Sequence, residues 1–184
     1  MVGLDDEAEE ESIQSAYKKR LVWLFVNLGT ILMASFVIGQ YETLIVSYVA
    51  LAVLMPVVAA LGGNTGMQAL TVTIRRLALG EIDYASTRTV LKREAMIALL
   101  NGTVMAGAVS SVSYLWFGDS YLALAVALAV FSNLMVAGSA GALIPLGLKK
   151  IGVDPAVASS VLLTTTTDVF GFFIFLFTAK LILS

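Results

Sequence analysis

Cysteine and histidine are both absent from the 184 residues. Their absence removes disulfides, zinc sites of the Cys/His kind, thiol nucleophiles and Ser-His-Asp triads together. Charge is also scarce: 13% of residues are charged, where soluble domains carry about a quarter. What fills the chain instead is apolar. Hydrophobic residues make up 59%, and the mean hydropathy is +0.92. A soluble core cannot hide that much apolar surface, so the plausible solvent is lipid. The net charge of −2 says little; its distribution says more.

A membrane-spanning helix needs about 20 mostly apolar residues. Five stretches qualify, near residues 21–39, 43–74, 95–117, 121–148 and 155–183. The first is too long for a signal-peptide core, follows an acidic tail and has no A-x-A cleavage site. The expected fold is therefore an all-α integral membrane protein with five transmembrane helices per subunit. Lys18, Lys19 and Arg20 precede the first span. Arg75, Arg76, Arg88, Lys92 and Arg93 fall between the second and third, and Lys149 and Lys150 between the fourth and fifth. With five spans these ten basic residues all lie on one side, leaving only Lys180 for the other. The positive-inside rule then puts the N-terminus in the cytoplasm and the C-terminus outside. A multi-pass protein of the plasma membrane is expected.

Residues 1–17 read as an acidic cytoplasmic tail or helix, and residues 18–184 as the membrane domain. Six acidic residues lie between Asp5 and Glu11. Such a run is ordinarily a solvated segment; the sharper reading is a weak cation-collecting patch at the inner mouth. Ile13 and Tyr17, at i, i+4 spacing, allow a helix leading into the first span. The chain leaves no room for a separate soluble regulatory domain.

Polar residues at membrane depth are expensive and call for a partner or a task. Asp168 stands out, about 13 residues into the fifth span, after Thr164, Thr165, Thr166 and Thr167. Burying its carboxylate there costs roughly 2.5–3.5 kcal/mol on insertion scales. No Lys or Arg lies at similar depth, so it must face water, a cation or a proton, or bond a neighbouring helix while protonated. Ser160 and Thr164, at i−8 and i−4, and Thr165, at i−3, fall on its helical face. That stripe of oxygens suits hard cations such as Mg²⁺ or Ca²⁺. One carboxylate is too little for a divalent ion, and a twofold axis beside this helix would supply a second Asp168. The Ser/Thr face alone would instead read as helix-to-helix hydrogen bonding.

The second span carries Pro56, Gly62, Gly63, Asn64, Gly66 and Gln68. Pro56 removes a backbone donor and is expected to kink the helix. Asn64 and Gln68 share a face. Gly62 and Gly63 fit either a pore lining or close helix packing, while Asn64 reads as pore-lining. Asn27, Asn101, Asn133 and the run from Gly138 to Gly141 read as packing residues. Pro145 is expected to kink the end of the fourth span.

These residues resemble the MgtE magnesium transporter family and its solute-carrier relatives. The likeness runs from about Lys18 onward. It includes Arg20-Leu21-Val22-Trp23-Leu24, Tyr41-Glu42 and Pro56 to Gln68. It continues through Arg75-Arg76-Leu77-Ala78-Leu79-Gly80-Glu81-Ile82, Asp154-Pro155-Ala156-Val157-Ala158-Ser159 and Thr167-Asp168. The resemblance implies a homodimer in lipid with one pore between subunits, lined by the second and fifth helices. It implies that Asp168 of both chains binds a largely hydrated Mg²⁺, the transported ion, with Asn64, Ser160 and Thr164 on the same route. Mg²⁺ gives up water reluctantly, so recognition through waters is physically sensible. Bacterial members usually carry cytosolic sensor domains, which this sequence lacks. Closure is then expected from the five helices, the acidic tail or separate regulatory proteins. Ser159-Ser160 also stands where many members have Ser-Gly-Pro.

The leading expectation is a Mg²⁺ channel or transporter. The alternative is a Na⁺- or H⁺-coupled Mg²⁺ exchanger or exporter. A membrane enzyme is disfavoured by the missing His and Cys and the single deep carboxylate. A purely structural subunit leaves the cost of Asp168 unexplained. No nucleic-acid partner is expected.

Overall fold

The computed structural model describes residues 13–183. The acidic run between residues 5 and 11 lies outside them, and with it the expected inner-mouth patch. Within this range the elements are helical: α1 (Ile13–Gly39), α2 (Glu42–Ser47), α3 (Val49–Ala78), α4 (Thr87–Phe117), α5 (Ser120–Lys150) and α6 (Pro155–Leu183), with a short 3₁₀ turn at Tyr84–Ser86. Five of these helices, all but α2, are long and apolar enough to cross a membrane. Together with the family relationship shown below, they make this a multi-pass membrane protein.

The second span departs from the sequence expectation. It is not one helix from residue 43 but two, divided at Tyr48, whose backbone leaves the helical region at φ −131° and ψ 76°. The Tyr48 amide still donates to the Leu44 carbonyl at 2.9 Å, and its hydroxyl donates to the Leu183 carbonyl at 3.1 Å. The break is thus satisfied locally and tied to the end of α6. α3 and α5 run on through Pro56 and Pro145. A proline deletes one amide donor, yet neither helix is broken there.

The other turns follow from their residues. Gly118 takes a left-handed φ of 68° and closes α4 with its amide on the Tyr114 carbonyl at 2.8 Å, a geometry that favours glycine. Asp119 then caps α5, its Oδ1 accepting from the Tyr121 and Leu122 amides at 2.8 and 3.1 Å. Asp154 accepts from the Ala156 amide at 2.9 Å as α6 begins.

The core sits around α5. Of its apolar window 56% is buried, against 6% for α1. α5 packs on α3, α4 and α6, while α1 rides on α6. Half of the buried positions of α5 are alanine or glycine: Ala123, Ala125, Ala129, Ala137, Gly138, Gly141 and Ala142. Lipid is as apolar as leucine, so helices associate by close backbone approach and not by burying apolar area. Gly141 shows how close: a Cβ there would strike the Gly66 carbonyl oxygen and lie 2.8 Å from the Ala69 Cβ.

One end of the bundle is basic. The Lys149 ammonium donates to the Leu77 carbonyl at 3.3 Å, and Arg20 lies beside Ser160 on the first turns of α6. The other end is aromatic, with Tyr114, Trp116 and Tyr121 exposed around the α4–α5 turn, as membrane interfaces favour.

Candidate functional site

Asp168 lies half-buried in the middle of α6. Among the described residues no hydrogen bond or ion pair reaches its carboxylate. The preceding hydroxyls behave alike. Thr164 and Thr165 donate to the Val161 carbonyl at 3.1 and 2.7 Å, Thr166 to Leu162 at 2.8 Å, and Thr167 to Thr164 at 3.1 Å. Each hydroxyl proton is turned back into the helix, so the oxygen lone pairs are what remain for a neighbour. A cation or its hydration water wants acceptors of this kind.

Two grooves flank the bundle. One, of about 520 Å³, is lined by Arg20, Trp23, Leu24 and Asn27 of α1 and by Ser160, Val161 and Thr164 of α6. The other, of about 500 Å³, lies along the open face of α3 and is lined by Asn64, Met67, Gln68, Thr71 and Val72. The Thr71 hydroxyl again donates backwards, to the Met67 carbonyl at 2.8 Å. Ser160 and Thr164 therefore share a groove, as do Asn64 and Gln68, but a single chain leaves these as two surfaces. Asp168 and Thr165 line neither. Among the described residues no three His, Cys, Asp or Glu side chains gather as a metal site.

The glycines divide. Gly62, a pore-lining candidate, is buried instead: a Cβ on it would run into the Asn133 amide of α5. It belongs to packing because its face of the helix meets α5 and not the groove. Gly66 likewise faces Leu163 of α6. Gly63 has nothing within 4 Å of where a Cβ would stand and stays compatible with a lining role.

Two residues, Asn27 and Glu94, take places that sequence reasoning gave differently or passed over. Asn27, read as packing, faces the α1–α6 groove with Ser160 and Thr164. Asn133 does serve packing: it is wholly buried and donates from Nδ2 to the Val58 carbonyl at 2.9 Å. Glu94, 6% exposed, was passed over because it lies one residue before the expected third span. α4 begins seven residues earlier, so its carboxylate enters the bundle. It lines a cavity of about 150 Å³ with Thr65, Gln68, Arg93 and Asn101.

Residues 55–178 match the MgtE family, described as divalent cation transporters. The chain belongs to the MgtE family. It is similar to proteins named magnesium transporter MgtE from three bacteria. It is 34% identical to that of Bacillus subtilis over 94% of this chain and 38% of the relative. For Thermus thermophilus the values are 34%, 89% and 36%, and for Enterococcus faecalis 32%, 91% and 37%. The chain thus spans well under half the length of these MgtE relatives, and the matched family segment contains most of α3, all of α4 and α5, and most of α6.

Proposed function

We propose that this MgtE-family chain forms the membrane pore of a divalent-cation transporter that carries Mg²⁺ as its substrate, and that it works as a homodimer. The observation that carries the reading is Asp168. It is a carboxylate in mid-helix, half-buried, with no protein partner among the described residues, above hydroxyls whose protons are already spent. A lone carboxylate at that depth is costly, and a cation removes the cost. One charge holds a divalent ion poorly, and α6 carries no second acid. A second copy placed across α6 supplies it, and would join the α1–α6 groove and the α3 groove into one path.

On this reading Asp168 of both subunits faces a largely hydrated Mg²⁺. Ser160, Thr164, Asn64 and Gln68 accept hydrogen bonds from its water shell, as the reluctance of Mg²⁺ to dehydrate requires. The basic end faces the cytoplasm by the positive-inside rule, which places the C-terminus outside.

Mg²⁺ flux into proteoliposomes tests the proposal. The wild-type protein should admit Mg²⁺ and Asp168→Asn should not, while remaining dimeric. Normal flux through Asp168→Asn would contradict it. Flux that requires an opposing Na⁺ or pH gradient would make the protein an exchanger instead of a channel.

A further inference from the structure

We propose that Asn133 is a positioning residue for the ion path: its amide sets the separation and register of α3 against α6, and thereby of Asn64 against Asp168. The proposal rests on the transport reading above.

Asn133 is fully buried on α5, and bare backbone closes on it from both sides. From α3, the Val58 carbonyl accepts from its Nδ2 at 2.9 Å, and a Cβ at Gly62 would collide with the amide. From α6, a Cβ at Gly171 would lie 2.7 Å from Nδ2, 3.1 Å from Cγ and 3.2 Å from Oδ1. The two helices that carry the candidate path thus both press on this one side chain of α5. Gly171 is three residues beyond Asp168, one helical turn away on a neighbouring face. Gly62 is two residues before Asn64, nearly opposite it on α3. The amide therefore sits behind the path walls at the depth of both polar residues.

Packing alone does not explain an asparagine there. Its Oδ1 is buried with no hydrogen-bond partner, and an unpaired buried acceptor costs free energy. Leucine branches at the same carbon and carries no such cost. What leucine lacks is the directional bond to Val58, which fixes how far α3 stands from α5 and along which register. An amide is planar and thin, and only a pair of glycines admits it. Filling either glycine or removing the amide should shift a path wall without touching a lining residue.

The test measures Mg²⁺ flux in proteoliposomes as apparent KM and maximum rate, with thermal midpoint in detergent as control. Asn133→Leu should keep the dimer and raise KM about tenfold, whatever it does to the midpoint, because small displacements of positioned groups are costly. Gly62→Ala should do the same by displacing the amide. Adding Gly62→Ala to Asn133→Ala should cost no more than Asn133→Ala alone, since the obstacle is gone. A purely structural role would lower the midpoint and the active fraction and leave KM unmoved. The proposal is overturned if KM stays within about twofold of wild type in both single variants, or if neither assembles. Asp168→Asn, run in parallel, separates the two readings. Its continued transport sinks the ion path itself, whereas normal Asn133 variants beside an inactive Asp168→Asn sink only the positioning role.

Discussion

Gly62 and Gly66 on one side of α3, and Asn64 and Gln68 on the other, lie within two turns of each other and meet opposite surroundings. The glycine side is closed by Asn133 and Leu163, with no space for a methyl group. The amide side opens on a groove of about 500 Å³ with no neighbouring helix across it. In water an apolar face would close and a polar face open. Here small residues close and larger polar ones open, because lipid gives no reward for apolar burial and backbone proximity must hold the helices together. The closed side serves helix packing, and the open side is where the proposed partner copy and ion would lie.

The comparison can be broken first where contacts are tightest. Gly141→Ala would set a methyl against the Gly66 carbonyl and the Leu70 amide, both backbone atoms that cannot swing aside. Thermal or denaturant unfolding in detergent should show a loss of about 1–3 kcal/mol. Gly63→Ala, beside the closed face but facing open space, should instead be neutral or stabilising by up to about 1 kcal/mol. Equal losses at the two positions would erase the distinction between the faces.

On the open side, function and not stability should respond. Asn64→Leu should lower Mg²⁺ flux several-fold while leaving unfolding within about 0.5 kcal/mol of wild type. A large loss of stability would mean the face is buried in ways a single chain does not reveal.

The smallest effect lies outside the membrane. The Ser86 hydroxyl and amide bond Asp83 at 2.8 and 3.0 Å and hold its carboxyl below the ordinary aspartate range. Its stabilisation is therefore present above the unfolded-state value and is lost as pH falls through the lower folded value. Asp83→Asn should slightly flatten the acid limb of a stability profile and leave flux at neutral pH unchanged.

The long helices were legible because hydropathy over 20 residues is set by lipid thickness, and Asp168 was legible because its cost is independent of context. What escaped depended on neighbours. Tyr48 breaks a helix without a glycine or proline beside it, and its hydroxyl ties the break to Leu183, far away in sequence. Glu94 fell one residue short of the expected third span, and only the start of α4 at Thr87 brings it into the bundle. Asn27 looked like any helix-packing amide until α1 set it against Ser160 and Thr164. Gly62 and Gly63 are indistinguishable in sequence; an α5 side chain separates them.

The central claim is that two copies of Asp168 share one hydrated divalent ion. A structure of the full chain in lipid with Mn²⁺, located by anomalous scattering, tests it most directly. The account predicts one ion on a twofold axis, held through water between the two Asp168 carboxylates, with Asn64 and Ser160 facing the same channel. Ion density elsewhere, or Asp168 carboxylates turned away from each other toward lipid, would contradict it.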